Sequence, residues 1–224
     1  MASRQEEKEQ RKRERLEREA KAAATAKRKR LLQLVGGVVV ALAIAGGLAF
    51  AVSQGGGGST SAKVDTARLN AAASAAGCTY RAFPSEGRNH VTRTLTPADY
   101  KTNPPTSGQH NPVPAGDGLY VPGNEPALQN WVHTLEHGRV EFQYRPGTSA
   151  SVIAQLTKLF NENVKGSGNG YHSMLFQNNT KMPFAVAAVA WQHYMACKTF
   201  TAQSIDAMRT FRDELIDKGP ETVP

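Results

Sequence analysis

The stretch Val132-His133-Thr134-Leu135-Glu136-His137-Gly138-Arg139-Val140-Glu141-Phe142-Gln143-Tyr144 decides how this chain is read. In its second half Val140, Phe142 and Tyr144 alternate with Arg139, Glu141 and Gln143, the period of a half-buried strand. Its first half sets two imidazoles and a carboxylate within five residues. Four apart, His133 and His137 share one side of a helix, and they share one side of a strand as well. The rings converge on either backbone, and converging imidazoles are the commonest way to hold a transition metal. Because Gly138 leads straight into the alternating pattern, the spacing predicts short extended segments over 127–137 and 139–144. His-x-x-Glu-His on a helix is the inverted zincin arrangement, in which the histidines bind zinc and the glutamate polarises a water. On a strand Glu136 points away from both histidines, and that geometry fails.

Regular patterns continue on the C-terminal side. Arg145-Pro146-Gly147 is a turn. Thr148 or Ser149 then caps a helix whose apolar face is Val152, Ile153, Leu156, Leu159 and Phe160. Strands are expected over 171–177 and 184–195, and the unalternating run Ala185 to Trp191 marks a central one. A last helix covers about 202–218, with Ile205, Met208, Phe211 and Leu215 inward, until Gly219-Pro220 stops it. On the N-terminal side, Val64 to Ala76 is Ala-rich and helical up to Gly77. Between them, residues 81–127 hold eight of the chain's 12 prolines and resist assignment. The order predicts an α+β domain over 63–224: an antiparallel sheet of about four strands with helices packed on one face.

The irregular region carries His90 and His110, and long irregular segments inside a compact domain tend to be functional. The candidate metal ligands are His110, His133 and His137, with His90 or Met174 completing the shell and Glu136 as a supporting partner or base. The pairs His172-Ser173-Met174 and His193-Tyr194-Met195 would share a strand face, a soft donor set suited to Cu(I), although methionine is also an ordinary core filler. The expected cofactor is copper or zinc, and the expected role is metal handling. A metal-dependent hydrolase using His-x-x-Glu-His and a metal-free module that binds an envelope protein or ligand are the two alternatives. The chain has no Walker loop, dinucleotide fingerprint or nucleophile elbow.

The formal net charge of +8 belongs mostly to residues 1–30, where Lys/Arg outnumber Glu by six. The remainder is nearly neutral, so no nucleic-acid surface is expected. Leu31 to Val52 contains no charged residue. As a helix it would span about 33 Å, enough for a bilayer core. Lys27-Arg28-Lys29-Arg30 precedes it. The reading is a basic cytoplasmic tail (1–30), a single transmembrane helix (31–52), a Gly/Ser-rich linker (53–62) and an extracytoplasmic domain. A cleaved signal peptide fits less well, because the apolar run is longer than a usual signal core. Cys78 and Cys197 both fall on the outer side, where an oxidising compartment favours a disulfide between them.

A combination of motifs then stands out: Pro104-Pro105-Thr106-Ser107-Gly108-x-His110, Gly118-x-Tyr120, Val132-His133-x-Leu135-Glu136-His137-Gly138, Tyr144, Ala190-Trp191 and Gly219-Pro220-Glu221. Together these resemble the bacterial, mainly actinobacterial, domain of unknown function 3105 family, over about residues 65–221. The resemblance supports the domain boundary and the histidine cluster, and it implies no activity.

Overall fold

The computed structural model describes residues 64–221 and 223. The expected tail (1–30), membrane helix (31–52) and linker (53–62) lie outside the described residues. Among the described residues no helix is long and apolar enough to cross a membrane.

The elements run α1 (Thr66–Ala75), β1 (Thr79–Ala82), a short 3₁₀ turn (Pro97–Asp99), β2 (Gly118–Leu119), α2 (Leu128–Glu136), β3 (Val140–Tyr144), α3 (Ala150–Phe160), β4 (Ser173–Gln177), β5 (Val186–Ala190), β6 (His193–Cys197) and α4 (Ala202–Leu215). The six strands form one sheet in the order β1-β6-β5-β3-β4-β2. Strands β1, β6, β5 and β3 pair antiparallel, whereas β3, β4 and β2 pair in parallel. The domain is α+β as expected, but its sheet is mixed and has six strands. The parallel pair arises because α3 carries the chain back across the sheet before β4 begins, which a tight hairpin cannot do. The hairpin lies between β5 and β6. Ala190 pairs with His193, and Gln192 turns the corner at φ 64°. The expected strand over 184–195 is therefore two strands. The apolar run at its start is central, with β6 on one side and β3 on the other.

Helices cover both faces rather than one. On one face α1, α3 and α4 bury Leu69, Leu156, Leu159, Met208 and Phe211 against Val140, Phe142, Val186 and Met195. On the other, α2 buries Trp131, Val132 and Leu135 with Met174, Phe176 and Val189. Every residue of β3 is buried, so its alternation does not separate core from solvent. It separates an apolar face from a face where Glu141 and Gln143 are buried in hydrogen bonds with each other and with Thr134 and Asn178.

The segment expected as a strand over 127–137 is helix α2. Leu128, Trp131, Val132 and Leu135 are all buried, and their spacing of three, four and seven is a helical stripe. His137 caps the helix, and Gly138 follows at φ 78°, the left-handed stop that glycine adopts without a Cβ penalty. Elsewhere the caps follow the sequence: Ser149 Oγ accepts from Val152 N at the start of α3, and Gly77 leaves α1 at φ 64°. Cys78 and Cys197 are joined in a disulfide, their Cα atoms 4.2 Å apart.

Candidate metal centre

Three stretches of backbone, two of them irregular, bring the site together. Residues 87–91 and 108–110 run side by side, held by Gly108 N to Gly87 O (3.1 Å), His110 N to Asn89 O (3.3 Å) and Val91 N to His110 O (2.8 Å). That pairing sets His90 beside His110. Gly108 is required here. Its φ is 123°, and a Cβ would stand 3.0 Å from the ring of Tyr100, whose hydroxyl donates to Gln109 O. Helix α2 supplies the third stretch, with His133 and Glu136 three residues apart and so on one side.

One ligand atom from each of His90, His110, His133 and Glu136 lies within 4.8 Å of all the others. His110, His133 and Glu136 are buried, whereas the His90 side chain is 47% exposed. Around one tetrahedral zinc ion, with bonds of about 2.0–2.1 Å, ligand atoms stand about 3.3–3.4 Å apart. The four atoms, up to 4.8 Å apart, are wider than a closed site and would draw together on binding, and His90, the exposed member, has the room to move.

Tautomers are fixed by the backbone. His110 Nδ1 donates to Gly108 O at 2.8 Å and His133 Nδ1 donates to Asn111 O at 2.6 Å. A carbonyl only accepts, so each Nδ1 carries a hydrogen and each neutral ring keeps its lone pair on Nε2; that of His110 is unpartnered, and that of His133 accepts from His137 Nε2 at 2.9 Å. This is the arrangement by which proteins orient a metal-bound histidine. Burial pushes both rings below the usual histidine range, which keeps them uncharged.

Glu136 meets these lone pairs directly. Its Oε2 is 2.9 Å from His110 Nε2 and 3.9 Å from His90 Nε2. The 2.9 Å contact lacks hydrogen-bond alignment: His110 Nε2 and both Glu136 oxygens are buried without a hydrogen-bond partner. Two acceptor atoms at that distance repel unless a cation lies between them, and orphaned buried polar atoms are costly. Burial raises the Glu136 carboxyl above its ordinary range, and Glu221 raises it further. Three imidazoles and a carboxylate are a donor set that suits zinc or Cu(II).

The remaining sequence candidates fall elsewhere in relation to this group. His137 borders it, with its Nε2 2.9 Å from His133 Nε2 and 3.7 Å from Glu221 Oε2. Burial first, and then the neighbouring His133, holds His137 down to about 4. Met174 is fully buried in the apolar cluster it shares with Trp131 and Phe176. His172 is paired to Asp217 and His193 to the Tyr80 hydroxyl.

Two residues that sequence reasoning passed over complete the surroundings. Arg88 stands 3.6 Å from Glu136 Oε1 and 3.9 Å from Glu221 Oε1. Glu221 arrives from the chain's other end: Asp217 N donates to Gly138 O and Glu221 N donates to Glu136 O at 3.0 Å. Gly219 permits that approach, since a Cβ there would lie 2.2 Å from Glu136 O and 2.2 Å from Gly138 N. The signal for Glu221 lies in Gly219-Pro220-Glu221, which the sequence offers as a helix stop and a family motif but not as part of the site. For Arg88 the only hint was its place two residues before His90.

No curated protein and no solved structure matches the chain. A family described as protein of unknown function (DUF3105) matches residues 90–223, a span that holds every member of the four-residue group. That span is well over half of the chain, and the protein belongs to the DUF3105 family.

Proposed function

We propose that this protein is a membrane-anchored, extracytoplasmic domain that binds one transition-metal ion, zinc or copper, through His110, His133, Glu136 and His90. The observation that supports it most is the unpartnered convergence of His110 Nε2 and the two Glu136 oxygens in the interior, beside imidazoles whose tautomers present lone pairs. A bound divalent ion would satisfy all of these atoms at once and offset the burial cost of the carboxylate. Its role is metal handling in the cell envelope. The anchor rests on the uncharged run Leu31 to Val52. An envelope location is consistent with the disulfide, because such bonds persist in oxidising compartments. Metal analysis of the full chain in detergent should find about one equivalent, lost in His110→Ala/His133→Ala. No metal above that variant's level would refute the proposal.

A second reading, a metal-dependent hydrolase, gains from the helical conformation of α2. His133 and His137 converge to 2.9 Å there, as the inverted zincin arrangement requires. A bound ion would then supply Lewis-acid activation of a water. Hydrolysis of a peptide or ester library that requires the metal and disappears in Glu136→Gln with metal retained would establish it. Loss of metal together with Glu136 would instead make the glutamate a ligand.

A further inference from the structure

The centre has one open side. His110, His133 and Glu136 are sealed in the interior, while the side chains of His90, Arg88 and Glu221 are 47%, 55% and 42% exposed. These three are the most exposed side chains at the centre. Arg88 is the distinctive one. Its two carboxylate neighbours lie at 3.6 and 3.9 Å, beyond ordinary N–H···O range, and among the described residues it makes no hydrogen bond. A guanidinium carries five donors in a planar fork matched to a carboxylate or phosphate. Here that fork stands at the mouth of a metal centre, ion-paired to Glu136 and Glu221 but hydrogen-bonded to neither. The charges agree with this. Two carboxylates, one guanidinium and a divalent ion leave the loaded mouth with one positive charge.

Resting on the metal reading above, we propose that the loaded centre binds a small oxyanion, a phosphate or carboxylate group, with one oxygen on the ion as a fifth ligand and the others on the Arg88 guanidinium. His90, the exposed ligand, stands beside the anion. Glu221 is its competitor: a carboxylate tied by its backbone to Glu136 O and within 3.9 Å of the same guanidinium. Glu221 therefore sets the affinity, holding the fork until a better oxyanion displaces it.

The test uses the full chain in detergent, loaded with zinc and checked for metal content, and titrated calorimetrically with inorganic phosphate and, separately, with acetate. Arg88→Ala removes an exposed side chain and should keep its zinc, but bind the preferred anion at least about tenfold more weakly, the loss of a charge-assisted pair. Arg88→Lys keeps the charge without the fork and should recover only part of the affinity. Glu221→Gln should bind more tightly than the wild type. The stronger of the two anions identifies the ligand chemistry. Equal affinity in wild type and Arg88→Ala, or no anion binding by zinc-loaded protein, overturns the oxyanion site and leaves the metal site intact. Failure of the wild type to retain either zinc or, loaded in its place, copper overturns both.

Discussion

His110 is the residue on which the centre turns. Its Nδ1 is committed to Gly108 O, its Nε2 faces Glu136 Oε2 at 2.9 Å, and it is fully buried. His110→Ala should abolish metal binding and leave Glu136 facing a cavity. Glu136→Gln keeps the shape and removes the charge. It should weaken metal affinity by at least about ten- to a hundredfold, the range seen when even supporting partners of a ligand are lost. Competition against a chelator of known affinity checks both. Gly108→Ala acts more indirectly. Its φ of 123° and the Tyr100 ring 3.0 Å away would force residues 108–110 to shift, lowering metal affinity without touching a ligand. Unchanged affinity in that variant would show that the 87–91/108–110 pairing does not set the His110 ring.

At the scale of elements, α2 and β3 meet over a buried acid. Glu141 lies 3.3 Å from Thr134 Oγ1 and accepts from Gln143 Nε2 at 2.8 Å, with no cation within reach among its hydrogen-bond partners. Full burial raises its carboxyl well above the ordinary 4.5. A raised folded-state value means that the folded chain holds this proton where the unfolded chain has released it. The acid's favourable contribution is complete below about pH 4.5 and is lost as pH rises through the folded value. Glu141→Gln, neutral at every pH, should therefore gain thermal stability over the wild type at pH 8, and the gain should shrink towards pH 5. A gain independent of pH would contradict the assignment of a protonated Glu141. Gly219 tests the other junction. Gly219→Ala places a methyl 2.2 Å from Glu136 O, and should cost about 1–3 kcal/mol in denaturant unfolding as the C-terminal segment is pushed off α2.

These elements also show how far the sequence could be read. The helices at 150–160 and 202–215 carry long apolar stripes, and the central strand at 186–190 is a run of small apolar residues, so each was legible. Helix α2 was not, although Leu128, Trp131, Val132 and Leu135 hold the right spacing. It has nine residues, lacks a side-chain N-cap, and abuts an alternating strand whose pattern extends visually across Gly138. Sheet order was illegible for a different reason: the pairing of β3 with β4 spans a crossover, and local pattern does not encode the partner. The histidines could be named from composition and spacing. The approach of Glu221 to Glu136 and of Arg88 to both is long-range, set by a glycine contact that no periodicity announces.

For the whole molecule, the disulfide and the histidines govern stability. Cys78 and Cys197 are 119 residues apart and tie the segment after α1 to the end of β6. In the chain-entropy model such a closure contributes about 4–5 kcal/mol, so reduction or Cys78→Ser/Cys197→Ser should lower the unfolding midpoint sharply. Burial lowers His110, His133, His137 and His193, the last two to about 4. The unfolded chain takes up these protons near pH 6.5, where the folded chain refuses them. In metal-free protein the histidines' contribution should fall as pH drops from about 6.5, with a shallower slope in His193→Gln. A bound ion adds its own stabilisation, because it binds the folded chain alone.

The most direct measurement is the amount of zinc or copper retained per full-length chain after loading and desalting, by plasma mass spectrometry, for the wild type and for His110→Ala/His133→Ala side by side. About one equivalent is expected in the wild type and essentially none in the variant. Equal, negligible metal in both would contradict it, and would mean that a proton rather than a metal ion separates Glu136 from His110.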